Sequence, residues 1–285
     1  MKIARFNGGR VGVVEGGHIL DVTAVLDALP LRRWPLPRGD DFIAHLPVLL
    51  PAIEAMMPGA EHLPIGDVTL LSPVANPGKI IAAPVNYHAH VDEANADEML
   101  HHGGTVHPID RYALFLKATS ALVGPGQGIV VDRPDRRTDH EVELAVVIGR
   151  GGRNIAAADA LDCVAGYAIG LDITIRGTED RSYRKSLDSF AVLGPWLVTA
   201  DAFGDPSDAA IALEVNGDTR QSASTRDLIW SVPKIIEVAS HAFTLDPGDV
   251  IYTGTPDGVG PIAPGDVITA RIDRIGEMRV AVRGG

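Results

Sequence analysis

Two apolar stretches decide the fold of this chain: DHEVELAVVIG at residues 139–149 and GYAIGLDIT at residues 166–174. Both have the apolar content and the length of buried strands. Carboxylates interrupt them at Glu141, Glu143 and Asp172. Side chains alternate along a strand, so Glu141 and Glu143 point to the same face. Because two like charges buried side by side require a cation or a proton, a bound divalent metal is the simplest explanation.

The predicted metal site uses carboxylate oxygens only. Such ligands favour a hard ion, Mg²⁺, with Mn²⁺ as the usual substitute. Mg²⁺ normally keeps several water molecules, which leaves coordination positions for substrate oxygens. An acidic pair on one strand face also occurs on solvent-exposed strands. Asp172 favours the metal site, because it interrupts a second apolar run.

Composition limits the class of protein. The 285 residues are 46% hydrophobic and include 31 Gly and 20 Pro, which is typical of a globular chain with many turns. The net charge of −12 argues against nucleic acid or an anionic membrane surface as a partner, since both would repel it. The single Cys163 excludes an internal disulfide and lies in an apolar stretch, as core cysteines do.

The first residues, MKIARFNGGR, lack the apolar core of a signal peptide. We expect no apolar run that approaches the roughly 18 residues of a membrane span. We therefore expect a soluble, cytoplasmic enzyme without a membrane partner.

The order of the motifs predicts an α+β fold dominated by β-strands, a sandwich or roll rather than a doubly wound sheet. Residues 1–72 show short strands between glycine-rich turns and a helix from about Asp40 to Met57, which predicts a small N-terminal domain. The main domain spans residues 75–285. It contains one helix that begins near Asn86 and another from about Ser231 to Thr244.

The segment NYHAHVDE at residues 86–93 contains a second group of candidate residues. If Asn86 caps a helix, His90 and Glu93 lie on one helical face, and the carboxylate can orient the imidazole. Such a pair is suited to act as a general base on water. The neighbouring histidines are irregularly spaced, which favours a mobile polar loop over a transition-metal site; they are His88, His101, His102 and His107.

Over roughly residues 75–285 the chain resembles the fumarylacetoacetate hydrolase superfamily. The motifs that carry the resemblance, in the family's order, are NYHAHVDE, FLKATSAL, DHEVELAVVIG, GYAIGLDIT, RKSLDSFAVLGPWLVT, LEVNG, SVPKIIEVASHAFTLDPGDVIYTGTPDGVG and GDVITARIDRIG. The resemblance implies a homodimeric mixed β-sandwich roll with one divalent metal per active site. It also implies a substrate with an α-keto acid or β-diketone group that chelates the metal.

The resemblance further assigns roles to individual residues. Glu141, Glu143 and Asp172 match the family's metal ligands, and His90 with Glu93 matches its water-activating pair. Lys185 matches a lysine that contacts substrate oxygens, and Thr255 matches a residue that helps to hold the substrate carboxylate. Two other cations are open to two interpretations each. Arg176 either binds a substrate carboxylate or braces the end of its strand, and Lys117 either lines the site or forms a structural ion pair.

This sequence departs from the family after Asp172. Many members have an acidic residue beside the arginine and a glutamine two positions later, whereas this chain reads Arg176-Gly177-Thr178-Glu179. Glu179 would repel a dianionic substrate, so either the substrate is less charged at that end or Glu179 turns away. Residues 94–111 have the composition of a lid, in which the histidines and Met99 would help to select the substrate tail.

The function favoured by these residues is metal-dependent hydrolysis of a carbon–carbon bond in an acylpyruvate or related 2,4-diketo acid. The same site could instead serve a lyase, hydratase or isomerase that forms an enolate, of the oxaloacetate decarboxylase, 2-keto-4-pentenoate hydratase or 2-hydroxyhepta-2,4-diene-1,7-dioate isomerase type. The complete pair of His90 and Glu93 favours hydrolysis. A third hypothesis is a metal-free, non-catalytic homologue, which predicts that the ligands are broken.

Overall fold

The strands of the computed structural model, which describes residues 1–101 and 103–285, form three β-sheets. The strands are β1 (Lys2–Phe6), β2 (Arg10–Glu15), β3 (His18–Asp21), β4 (Glu61–Pro64), β5 (Leu70–Leu71), β6 (Ile80–Ala82), β7 (Phe115–Lys117), β8 (Leu122–Val123), β9 (Ile129–Val131), β10 (Thr138–His140), β11 (Val142–Ile148), β12 (Val164–Asp172), β13 (Thr174–Ile175), β14 (Ala191–Thr199), β15 (Ala210–Val215), β16 (Asp218–Ser224), β17 (Val250–Tyr252), β18 (Gly260–Pro261), β19 (Val267–Ile272) and β20 (Gly276–Gly284). The α-helices are α1 (Asp41–Met56), α2 (His88–Ala96), α3 (Glu98–His101), α4 (Ile109–Tyr112), α5 (Arg181–Arg184), α6 (Ala200–Phe203) and α7 (Val232–Ala242). The predicted β-dominated α+β class is confirmed.

The largest sheet places the two deciding stretches side by side. Its strand order is β4-β3-β2-β1-β14-β12-β11-β17-β6-β7, with β5 beside β1 and β8 beside β14. β11 and β12 are antiparallel neighbours, with Glu143 opposite Gly170. The Asp172 backbone N–H donates a hydrogen bond of 2.9 Å to the Glu141 carbonyl. The end of β12 therefore lies beside the start of β11, where the two glutamates are located.

The N-terminal residues extend the same sheet. β1 pairs with β14, with Lys2 opposite Val198 and Ile3 opposite Leu197, and β2, β3 and β4 follow outward. Backbone hydrogen bonds thus join residues 1–72 to the predicted main domain at 75–285. The two smaller sheets have the orders β13-β10-β18 and β16-β15-β19-β20-β9.

Helix α1 begins and ends within one residue of its prediction. The Asp40 side chain caps it by accepting a hydrogen bond of 3.1 Å from the Ile43 N–H, and also accepts from the N–H groups of Ala75 and Asn76. One face of the helix belongs to the hydrophobic core through Ile43, Leu46, Leu49 and Ile53. The cap and this face fix the helix against the sheet.

The helical segment 41–59 is 19 residues long and contains an 18-residue window with a mean hydropathy of 1.4, so it meets the length and composition of a membrane span. This differs from the expectation that no segment approaches such a span. The expectation is therefore wrong for this helix, because the polar His45 and Glu54 leave the mean hydropathy of the 18-residue window apolar. A helix with one face in a protein core has the same composition, so the match rests on length and composition only.

The prediction that Asn86 caps a helix is wrong. Helix α2 follows Tyr87, which forms no side-chain cap. The fully buried Asn86 amide instead donates to the carbonyls of Trp230 at 2.9 Å and Thr253 at 2.8 Å, and accepts from the Trp230 N–H. A buried amide is most stable when all its hydrogen-bonding groups are paired, and these backbone partners come from distant segments. Helix α7 is confirmed, with Pro233 in its first turn.

Candidate active site

The predicted carboxylates converge at one end of β11 and β12. Glu141 joins β10 to β11, Glu143 is the second residue of β11, and Asp172 is the last residue of β12. Each offers one oxygen atom, and these three atoms lie within 4.8 Å of one another. All three residues are at least 96% buried. The strand pairing therefore produces the cluster that the sequence predicts.

Three buried cations contact this cluster. Lys185 Nζ lies 2.7 Å from both Glu141 Oε2 and Asp172 Oδ2. A nitrogen of Arg176 lies 2.9 Å from Glu141 Oε1, and the ammonium group of Lys117 contacts Asp172 Oδ1. Within the described part of the chain, Glu143 has no cationic partner and accepts only a hydrogen bond of 2.5 Å from the Gly254 N–H. One carboxylate of the cluster thus forms no direct ion pair with the described residues.

The pKa shifts follow from these contacts. Burial, together with the charges of Asp172 and Glu141, raises the pKa of Glu143 well above its usual range. Burial opposes ionisation of Glu141 as well, but the charges of Lys185 and Arg176 outweigh it and hold the Glu141 pKa below its ordinary value. The cluster therefore has a surplus of negative charge at Glu143 when all three groups are ionised.

These features fit a divalent metal ion. The donor set consists of carboxylate oxygens, which suit Mg²⁺ and Mn²⁺, and the oxygens are already close enough to share one ion. An ion there would also compensate Glu143. The residues that would hold the metal are Glu141, Glu143 and Asp172.

The second predicted pair forms as expected from its spacing. His90 Nδ1 lies 2.9 Å from Glu93 Oε2, and because a carboxylate only accepts, Nδ1 carries the proton. Nε2 is then the nitrogen that can take a proton. Glu93 Oε1 accepts a hydrogen bond of 2.9 Å from the Gly258 N–H, in the TGTPDGVG loop. This loop therefore fixes the carboxylate that orients the imidazole.

Both groups meet at one pocket of about 200 Å³. Seven of the nine predicted site residues line it, namely His90, Glu141, Glu143, Asp172, Arg176, Lys185 and Thr255. The other two, Glu93 and Lys117, contact lining residues from behind. The structure thus brings all the predicted residues together.

The contacts of two cations bear on the alternatives left open by the sequence. The side chain of Lys117 is fully buried and its ammonium group contacts Asp172, which favours the structural ion pair. Arg176 donates from Nε to Asp139 at 2.7 Å and also contacts Glu141, which favours bracing, although its side chain also lines the pocket. Thr255 Oγ accepts a hydrogen bond of 2.8 Å from the buried Gln221 amide.

Glu179 turns away from the site. Both of its oxygens accept hydrogen bonds from Arg136, at 2.7 and 2.9 Å, and this contact lowers the Glu179 pKa to about 2. Glu179 is not among the residues that line the pocket. The carboxylate therefore does not repel a ligand at close range.

The predicted lid segment forms part of the pocket wall. Its lining residues are Ala94, Leu100, His101, Thr105 and Val106. Met99, which is 46% exposed, does not line the pocket in the described structure, and His102 lies outside the described residues. Asp97 anchors the segment by an ion pair of 2.8 Å with Arg137. Arg137 also contacts Asp139, which contacts Arg176.

Sequence reasoning missed four residues around the pocket: Asp139, Arg181, Arg184 and Gln221. Gln221 is fully buried on β16 and bonds to the Val142 N–H and to the TGTPDGVG loop, but its strand, DTRQSAS, is polar throughout and gives no signal. Asp139 lies next to the glutamates and was detectable as a further acidic residue. The basic run RSYRK at residues 181–185 was also detectable.

Comparisons with known proteins agree with this geometry. Residues 79–283 match the family model of the fumarylacetoacetate (FAA) hydrolase C-terminal domain. A maleylpyruvate hydrolase of Aquipseudomonas alcaligenes is 52% identical over 285 residues, covering 99% of both chains. The crystal structure of maleylpyruvate hydrolase from Sphingobium sp. SYK-6, in complex with manganese(II) and pyruvate, superposes with a TM-score of 0.84 at 44% identity and full coverage of both chains.

More distant relatives have other activities. A mitochondrial oxaloacetate tautomerase of Xenopus laevis is 34% identical over 279 residues, covering 93% of this chain and 82% of the relative. The matched family model spans more than two thirds of the chain, and the three carboxylates that could hold a metal ion lie together. This chain therefore belongs to the fumarylacetoacetate hydrolase family and is a metal-dependent hydrolase.

Proposed function

We propose that the protein hydrolyses an acylpyruvate of the maleylpyruvate type to pyruvate and a carboxylic acid. The observation that carries the proposal is the presence of a complete carboxylate cluster and the His90–Glu93 pair in one pocket. The relative at 52% identity and the solved relative at 44% identity both bear the name maleylpyruvate hydrolase.

The reaction requires a base and stabilisation of negative charge. Water adds to the C4 carbonyl of the 2,4-diketo acid, the C3–C4 bond breaks, and its electron pair stays on C3 as the enolate of pyruvate. Protonation at C3 then gives pyruvate, and the acyl group leaves as a carboxylic acid. His90 accepts the proton of the attacking water at Nε2, while Glu93 holds the imidazole and stabilises its charged form.

When bound at Glu141, Glu143 and Asp172, a divalent ion supplies Lewis-acid polarisation of the keto acid. Lys185, whose ammonium group lies at the same centre, places a positive charge where the enolate oxygen develops negative charge. Thr255, oriented by Gln221, offers a hydroxyl to the substrate carboxylate. Arg176 donates to Glu141 Oε1, while Lys185 donates to Oε2, and so keeps this carboxylate in position.

A tautomerase or isomerase is the second candidate, because the relative at 34% identity is an oxaloacetate tautomerase. Tautomerisation needs proton transfer and enolate stabilisation but no attacking water. A decarboxylase would use the same centre and release carbon dioxide. The pair of His90 and Glu93 favours hydrolysis, since it orients a base toward the pocket.

The decisive experiment incubates the metal-loaded enzyme with maleylpyruvate, acetylpyruvate and oxaloacetate, and identifies the products by mass spectrometry. Hydrolysis in H₂¹⁸O predicts one ¹⁸O atom in the released carboxylic acid. The pyruvate formed in the same cleavage should carry no ¹⁸O until its keto oxygen exchanges with the solvent. Enol–keto interconversion of oxaloacetate without cleavage of the acylpyruvates would contradict the proposal and support the tautomerase. Carbon dioxide release would support the decarboxylase.

Further features of the protein belong to the same proposal. Mg²⁺ is the physiological ion, with Mn²⁺ as a substitute, because the donors are carboxylates.

The enzyme is a homodimer, since large apolar side chains are exposed on the segment before α1 and on α1 itself, namely Leu31, Trp34, Leu36 and Val48. Light scattering coupled to size exclusion tests this state, and a monomeric mass contradicts it.

Two points concern location and organisation. The enzyme is cytoplasmic, which cell fractionation tests.

Residues 1–72 form a small N-terminal domain that stabilises the catalytic domain at 75–285 by extending its sheet through β1 and β14. Hydrogen exchange of backbone amides, measured on the intact chain at increasing denaturant concentration, tests this point. Loss of amide protection in β1 at a much lower denaturant concentration than in β14 would indicate a separately unfolding domain.

A further inference from the structure

Arg181 lines the pocket and forms no ion pair among the residues that the structure describes. Its guanidinium carbon lies 5.0 Å from the centre of the Tyr112 ring and 5.6 Å from that of Phe115. Within the described part of the chain it forms no ion pair and no side-chain hydrogen bond. Burial lowers the pKa of this guanidinium below its ordinary value. A half-buried cation that lies against aromatic rings and has no ion pair among the described residues is incompletely compensated, and an anion in the pocket would compensate it.

Arg184 places a second cation on the same wall of the pocket. It lies three residues further along α5, and its Nε donates a hydrogen bond of 2.9 Å to the Glu179 carbonyl. Burial and the charges of Arg176 and Arg181 lower the pKa of Arg184. Neighbouring guanidinium groups repel each other, and a bound carboxylate between them would remove this repulsion.

The position of Arg181 relative to the metal-ligand cluster sets what it can contact. Lys185, four residues later, contacts Glu141 and Asp172 and lies 5.7 Å from the Phe115 ring centre. Arg181 lies against the same ring, about one helical turn from Lys185. A substrate with its keto acid at the metal centre would therefore bring the end of a short acyl chain to Arg181.

The charges of the site favour a dianion. Two of the three carboxylates, Glu141 and Asp172, contact three cations, Lys117, Arg176 and Lys185, while Glu143 contacts none among the described residues. A divalent ion adds two positive charges, and Arg181 and Arg184 add two more. The keto acid carboxylate supplies only one negative charge, so a second carboxylate improves the balance.

We propose that Arg181, assisted by Arg184, binds a second carboxylate at the acyl end of the substrate and makes the enzyme selective for acylpyruvates with an acidic acyl group. This inference rests on the proposed function, since it assumes that the keto acid occupies the metal centre. The mode of recognition is a charge-assisted, bidentate contact of the guanidinium with the carboxylate. Arg181 is thus a specificity-determining residue rather than part of the bond-breaking machinery.

The test compares maleylpyruvate with acetylpyruvate, which lacks the second carboxylate, in the wild-type holoenzyme and in Arg181→Met. We expect the wild type to prefer maleylpyruvate. In Arg181→Met, kcat/KM for maleylpyruvate falls by about thirtyfold or more, because one partner of a desolvated charge pair is removed. The loss for acetylpyruvate is much smaller. Arg181→Lys recovers part of the preference, since the charge remains without the planar fork.

Arg271→Met serves as the matched control, because Arg271 is an exposed arginine that pairs with Glu214 and Glu277 away from the pocket. An equal loss for both substrates in Arg181→Met, or a wild type without preference, would overturn the inference and leave the proposed function intact. A wild type that cleaves neither acylpyruvate would overturn the proposed function and the inference with it. If Arg181→Met has a lower melting temperature than the wild type, the test uses Arg184→Met and Arg181→Lys instead. The measured quantity is again the ratio of kcat/KM for maleylpyruvate to kcat/KM for acetylpyruvate.

Discussion

The floor and the wall of the pocket are built in different ways. The floor comes from β11 and β12. Its carboxylates are almost fully buried, and those of Glu141 and Asp172 are held by ion pairs. The wall comes from residues 94–115 and from α5, whose four residues Arg181–Arg184 are exposed or half-buried. A paired and packed floor keeps the reacting groups in place, whereas a wall of short helices can change with the substrate. The difference indicates that chemistry and selectivity are located on separate elements.

The largest effect is expected from Glu143→Gln, which removes one of the three proposed metal ligands from the floor. Activity should fall by about 10³-fold or more, because charge stabilisation at the reacting oxygen depends on the bound ion. The melting temperature of the wild type should rise on addition of Mg²⁺ or Mn²⁺, and that of the variant should not. Glu277→Gln, at an exposed ion pair, is the matched control.

The same variant tests whether the charge of Glu143 destabilises the folded protein. The folded-state pKa of Glu143 is raised, so its ionisation removes stability as the pH rises from the ordinary glutamate range through the folded-state pKa. Metal-free Glu143→Gln should therefore be more stable than the metal-free wild type at alkaline pH, and the advantage should disappear in acid. A variant that is less stable throughout would show that the floor is not electrostatically strained.

The next effect is expected from His90→Gln, at the edge between floor and wall. Turnover should fall by about 10²–10⁴-fold, because the general base is lost. Metal affinity, followed by the thermal shift with Mn²⁺, should change little, since His90 is not a ligand. His88→Gln is the control, as His88 lies on the same helix but does not line the pocket. Equal rates in His90→Gln and the wild type would remove His90 from the mechanism.

A smaller effect is expected where the wall is anchored to the floor. Arg137→Met removes the contact with Asp97 at the end of α2 and the contact with Asp139. We expect KM to rise by roughly fivefold to thirtyfold, in line with about 1–2 kcal/mol for a partly exposed pair of charged hydrogen bonds. Arg133→Met, at an exposed position nearby, should leave KM unchanged. A fall in kcat without a rise in KM would mean that Arg137 supports the floor instead.

The smallest effect is expected from Glu179→Gln. This carboxylate pairs with Arg136 outside the pocket, so kinetics with maleylpyruvate should stay close to the wild type. Its pKa is lowered to about 2, so its small contribution to stability is present above the ordinary glutamate pKa and is lost as the pH falls toward 2. Urea unfolding at pH 7 and pH 3 measures this contribution. A marked gain in affinity for maleylpyruvate would show that Glu179 faces the substrate after all.

Much of the floor could be predicted from the sequence. Alternation along DHEVELAVVIG placed Glu141 and Glu143 on one face, and the spacing of His90 and Glu93 predicted their contact on a helix. The wall was predicted less well. The lid segment was recognised from its composition, but the orientation of Glu179 and the exclusion of Met99 from the pocket depend on contacts that composition does not contain.

The sequence by itself determined the class of fold, the strands, and the residue types of a metal-dependent site, because periodicity and local spacing are properties of adjacent residues. Only the tertiary structure decided which distant groups complete that site. Glu143 bonds to Gly254, 111 residues away, and Gln221 bonds to Val142, 79 residues away. Asn86 was misassigned for the same reason, since its partners Trp230 and Thr253 are brought to it by the topology of the chain. Contacts of this kind depend on how strands and loops pack, and a local pattern of residues does not encode them.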